Sequence, residues 1–168
     1  MIASLQGRLA AKHAPHIVVE CHGVGYEIET PMSTFLELPE IGADISLHTH
    51  LLVREDAHIL YGFATADERA LFRTLLKINR VGAKMALGIL SSMSENDFRR
   101  CVEYEDAATL SKVPGIGKKT AERLIMEMRD KIESIGVPAL PGTTVSADSS
   151  PRAEAFDALV ALGYNPLS

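Results

Sequence analysis

The apolar positions of this chain change their period part-way along. From Ile2 to Phe63 they come in short runs, IASLQGRLA, HIVVEC, VGYEIET, DISLHTHLLV and HILYGF, with Gly and Pro at the breaks. Such runs, rich in β-branched and aromatic residues, read as strands, and five of them within about sixty residues suggest a small Greek-key barrel of the OB type, with a meander or a sandwich fragment as the alternatives. After Gly62 the spacing becomes helical. In TADERALFRTLLKI the residues Leu71, Leu75, Leu76 and Ile78 supply the apolar positions, and Thr65 precedes Glu68 at the spacing of a capping box. Ser94 and Asp97 open another helix in the same way. The stretch IGVPALPGTTVSADSS, residues 135–150, has no period and the composition of a flexible linker. Beyond it Ser150-Pro151 caps a last helix, with Phe156, Leu159 and Val160 on one face and Gly163 as its stop. The expected fold is multi-domain, β then α: an OB-type barrel over 1–64, an all-α domain over 65–136, a flexible linker over 137–150 and the start of a further, incomplete helical domain over 151–168.

The all-α block is a tandem repeat. Laid 35 positions apart, LLKINRVGAKMALGIL (75–90) and LSKVPGIGKKTAERLI (110–125) share Leu75/Leu110, Lys77/Lys112, Gly82/Gly117, Lys84/Lys119 and Ala86/Ala121. Apolar positions match as well, in Ile78/Val113, Val81/Ile116, Ile89/Leu124 and Leu90/Ile125. Each copy reads as a helix–hairpin–helix unit, and two units make one compact domain. The physical use of such a unit is phosphate capture: glycines allow a tight turn and close approach, and the next helix offers unpaired N–H groups at the positive end of its dipole. Lysines there add charge without reading a base, so binding is expected to be sequence-independent and salt-sensitive. The candidate phosphate-binding residues are Val81, Gly82 and Lys84 in the first copy and Gly115, Gly117, Lys118, Lys119 and Arg123 in the second. A nucleotide P-loop fails on spacing, because it needs glycine where Lys112 stands and Ser or Thr where Lys119 stands.

Charge sharpens this reading. The formal net charge of −5 conceals a segregation. Residues 1–64 carry three cations (Arg8, Lys12, Arg54) against eight acids, whereas residues 65–136 carry thirteen against eleven. A basic face beside an acidic neighbour suits a polyanion that one part must hold and the other repel. Composition otherwise reads as ordinary globular protein, with 46% hydrophobic and 23% charged residues. Neither an apolar run long enough to span a membrane nor a secretory signal is apparent, so a cytoplasmic location is expected. Cys21 and Cys101 lack ligand or disulfide spacing. His48 and His50 share a strand face without a third ligand, so no metal and no cofactor are expected.

The motifs GVGYEIE, LLVREDAHILYGF, ERALFRTLLKINRVGAKMALGILS, LSKVPGIGKKTAERLIMEM and ALVALGYNP, in this order, resemble the RuvA family of Holliday-junction-binding subunits. The resemblance implies a non-catalytic, homotetrameric protein that lays four duplex arms of a four-way junction on one face and serves the RuvB ATPase motor. It leaves open whether two tetramers face each other as an octamer and whether the RuvC resolvase is a further partner. It also gives Glu55 and Asp56 a role. Alone, they are solvated residues of a turn; in the family the acidic pair forms a pin at the junction centre that repels phosphates. Leu159, Leu162 and Tyr164 match the start of the family's motor-binding domain, which is expected to be incomplete where the sequence stops at Ser168. A second departure is NRVGAK: Arg80 and Ala83 stand where the family has glycine and proline, and Arg80 is expected to strain the turn or to add a phosphate contact. Helix–hairpin–helix units also occur in nucleases and glycosylases; that alternative lacks a carboxylate constellation beside the hairpins.

Overall fold

A computed structural model describes residues 1–134. The linker of 137–150, the helix expected over 151–168 and the residues Leu159, Leu162 and Tyr164 lie outside the described residues.

Five strands, β1 (Ser4–His13), β2 (His16–Cys21), β3 (Val24–Glu29), β4 (Asp44–Val53) and β5 (His58–Phe63), close into a barrel in the order β1-β2-β3-β5-β4. Alternation explains the faces: Ile17 and Val19 of β2, Ile28 of β3, and Ile45 and Leu47 of β4 point inward and form one core with Leu9 and Leu60. Closure depends on β1, whose first half pairs with β4 and whose second half pairs with β2. A register shift between Leu9 and Ala11 bends it, as a bulge does. Gly7 lies before the bend, and a Cβ there would come within 2.3 Å of the Glu20 carbonyl oxygen, so only glycine lets β2 approach. Of the remaining neighbours, β2–β3 and β4–β5 run antiparallel and β3–β5 parallel, with Ile28 opposite Leu60.

The helices are α1 (Met32–Glu37), α2 (Ala66–Leu76), α3 (Ala83–Ser92), α4 (Glu95–Glu103), α5 (Ala107–Leu110) and α6 (Lys118–Ser134). The sequence pattern did not indicate α1, because six residues hold too little of a helical period to be distinguished from a loop. Its contribution is polar. Ser33 and Thr34 donate their hydroxyls to the two carboxylate oxygens of Glu68, each at 3.0 Å, and Thr34 Oγ1 accepts the Ala64 N–H at 3.1 Å. The expected capping box at Thr65 is therefore only half formed. Thr65 Oγ1 accepts the Glu68 N–H at 3.1 Å, while the Glu68 carboxylate is diverted to α1. Ser94 caps α4 as its spacing suggested, accepting the Asp97 N–H and donating to the Asp97 carboxylate.

The helices share a core with the last strand of the barrel. Tyr61 and Phe63 enter the cluster that contains Leu75, Ile89, Phe98, Leu110 and Leu124. Phe72 of α2 is its junction: its ring lies 4.9 Å from those of Tyr61 and Phe63 and meets His50 of β4 edge-on at 5.8 Å. Among the described residues no helix is long and apolar enough to cross a membrane.

Candidate nucleic-acid interface

The 35-residue repeat of the sequence reappears as a repeat of hydrogen bonds. In the turn between α2 and α3, Lys77 N donates to Thr74 O, Ile78 N to Leu75 O, Val81 N to Ile78 O and Ala86 N to Gly82 O. In the turn between α5 and α6 the same four bonds recur, from Lys112 to Thr109, Val113 to Leu110, Ile116 to Val113 and Ala121 to Gly117. Side chains repeat as well, since Ile78 and Val113, Val81 and Ile116, and Ala86 and Ala121 are all buried. Val81 was expected among the phosphate contacts. Its amide is already engaged by Ile78 O and its side chain is buried, so it anchors the turn.

Each turn leads into a helix start of unusual character. Helices α2 and α4 begin conventionally, with a hydroxyl cap and acids in the first turn, Asp67 and Glu68 in one and Glu95 and Asp97 in the other. These acids complement the positive end of the helix dipole. Helices α3 and α6 have no acid in the first turn. The N-cap of α3 is Gly82, which has no side chain to satisfy the leading amides. Lys84, Lys118 and Lys119 are exposed there, a placement that opposes the dipole and is favourable only when an anion arrives. Arg123 lies one turn further into α6. Its side chain is 31% exposed, with Nε 3.8 Å from the Glu127 carboxylate, and that Nε is buried without a hydrogen bond.

The two turns reach the same backbone shape with different residues. Gly115 has φ +87° and Arg80, its counterpart, has φ +66°. Glycine occupies that region freely, whereas another L-residue gives up about 1–2 kcal/mol.

On the barrel, β4 and β5 form a hairpin in which Val53 faces His58 and Arg54 N donates to Ala57 O at 2.8 Å. Glu55 and Asp56 are its two-residue tip, and both are exposed. Among the described residues His48 and His50 belong to no group of three potential metal ligands. His50 Nδ1 instead accepts a hydrogen bond from Arg73 Nε of α2 at 3.1 Å. Burial, and then the charges of Arg73 and Arg69, hold the imidazole below its ordinary pKa of 6.5. Sequence reasoning missed this link, because two residues 23 positions apart on a strand and a helix leave no local signal.

A family model described as RuvA N terminal domain matches residues 1–62, and one described as SAM-like Helix-hairpin-helix tandem matches residues 72–130. A protein of Methylococcus capsulatus is 52% identical over 172 residues, covering 99% of this chain and 85% of the relative. Proteins of Nitrosococcus oceani (51%) and Pseudomonas aeruginosa (46%) match over 99% of this chain and 85% and 86% of their own lengths. Each of the three bears the name Holliday junction branch migration complex subunit RuvA. The chain belongs to the RuvA family. Its RuvA N-terminal match covers the barrel as far as Gly62, and the tandem match spans both hairpin turns. The β-then-α architecture of this RuvA family member is thus an OB-type five-stranded barrel followed by a double helix–hairpin–helix unit.

Proposed function

We propose that the chain is the non-catalytic, junction-binding subunit of a branch-migration complex, which holds a four-way DNA junction open and presents it to the RuvB ATPase. The observation that carries this reading is the pair of acid-free, lysine-bearing helix starts, set 35 residues apart on identical turns. Two such starts offer amide groups and charge to two phosphates without touching a base, which is the chemistry of structure-selective, sequence-independent binding. Gly82 and Lys84 serve one strand; Gly115, Gly117, Lys118 and Lys119 serve the other, with Arg123 behind them. The names of the relatives support the junction as the DNA form bound. In this reading residues 1–64 assemble a homotetramer and carry the pin, residues 65–136 bind duplex arms, residues 137–150 tether and residues 151–168, with Leu159, Leu162 and Tyr164, begin the motor contact.

Glu55 and Asp56 supply selectivity. Four subunits bring eight carboxylates to the centre of the tetramer, where phosphates of a continuous duplex would otherwise lie. A labelled four-way junction incubated with the protein and magnesium, then with RuvB and ATP, tests the whole. Intact bound junction, followed by branch migration on addition of the motor, is expected; cleavage of the junction by this chain, or no binding, would overturn it. Replacing Glu55 with Gln and Asp56 with Asn should raise affinity for linear duplex more than for the junction at low salt, an advantage that shrinks as screening increases. An unchanged junction-to-duplex ratio would return the pair to ordinary turn residues.

A further inference from the structure

The left-handed residue of the first turn has a counterpart that shows what the turn alone requires. The second turn makes the same backbone hydrogen bonds with Gly115 at that place. The fold therefore does not need an arginine at position 80, and a side chain there strains the backbone. Arg80 is exposed, and it forms no hydrogen bond or ion pair with another described residue. Residues Leu76 to Gly82 line an open depression of about 620 Å³, and Arg80 is part of its wall.

The next difference between the copies lies three residues on. The first residue of α3 is Ala83, which is buried, whereas the first residue of α6 is Lys118, which is exposed. The second helix start thus brings two cations, Lys118 and Lys119, and the first brings only Lys84. We propose that Arg80 is a DNA-phosphate ligand of the first hairpin and replaces the charge that Ala83 cannot supply, so that the first turn and helix start bring two cations to their strand as Lys118 and Lys119 do in the second. A guanidinium suits this place because its planar fork binds two phosphate oxygens at once. The proposal rests on the reading of the hairpins as the DNA surface.

Binding of a fluorescent four-way junction to the full chain, measured across a salt series, separates the two ideas. Arg80→Gly should raise the melting temperature by a few degrees through release of the strained turn. It should also weaken junction binding, and the slope of log affinity against log salt should fall by about 0.9 for each phosphate no longer neutralised. Arg80→Lys should keep the slope. Opposite signs on stability and binding cannot come from a purely structural role. An Arg80→Gly slope equal to that of the parent would overturn the proposal. Lys84→Ala and Lys119→Ala are measured alongside: if they lower the slope and Arg80→Gly does not, only the role of Arg80 falls. If neither lysine variant lowers it, the hairpins are not the DNA surface, and the proposal fails with that reading.

Discussion

The two hairpins are the same backbone built under different constraints. The first rests on the barrel: Phe72 of α2 inserts between Tyr61 and Phe63 of β5. Its counterpart 35 positions on is Ala107, in the short helix α5, and the second hairpin packs through α6 against α4 and α5. The second turn is relaxed at Gly115, and the first is strained at Arg80. The difference teaches that the turn hydrogen bonds and the buried apolar residues fix the shape of such a unit. Anchorage and charge can then vary from copy to copy.

The largest effect should come from breaking the anchorage. Phe72→Ala opens a cavity where the barrel and the helices share a core and should cost about 3–5 kcal/mol in denaturant unfolding. Ala107→Gly, at the equivalent place, should cost about 1 kcal/mol or less. Equal losses would mean that the copies are supported alike. Next in size is the strain itself. Gly115→Arg should destabilise by about 1–2 kcal/mol, the reverse in sign of Arg80→Gly, and chemical denaturation of both variants checks the pair.

How much of this asymmetry is legible in the sequence depends on whether its signal is local. The repeat, the five strands and the caps at Thr65 and Ser94 each depend on residues close together in the chain, and the sequence displays them. Strain at Arg80 is legible too, though only through the glycine that the family has at this place. Other features depend on long-range partners. Nothing near Glu68 announces that its carboxylate turns toward Ser33 and Thr34. The burial and internal bonding of Val81 likewise arise only in the folded turn.

A smaller effect tests whether the copies bind equally. Lys84 and Lys119 occupy the same place in their helices, and both are exposed. Alanine at either should lower the salt slope of junction binding by the same amount, about 0.9 per phosphate released. Unequal changes, measured by fluorescence anisotropy, would show that one hairpin dominates. The smallest effect concerns the link that only the first copy has, between His50 and Arg73. The folded protein holds His50 below 6.5, so the unfolded chain takes up this proton first as pH falls. Stability from this group is complete above 6.5, declines as pH drops below it and levels off once the lowered folded value is passed. The midpoint of urea unfolding should therefore fall between pH 7.5 and 5.5, and His50→Gln should flatten that fall. An equally steep decline in the variant would assign the pH dependence elsewhere.

One strand has a mechanical consequence. The hairpin tip of Glu55 and Asp56 adjoins the start of β5, and Tyr61 and Phe63, which grip Phe72, lie at its other end. A six-residue strand is about 20 Å long and stiff, so β5 acts as a ruler between the acidic tip and the footing of the first hairpin. One residue inserted into it would change that length and also turn every later side chain of the strand to the opposite face. Spacing and packing are therefore gauged by the same six residues, and the interval cannot drift without unseating the helices.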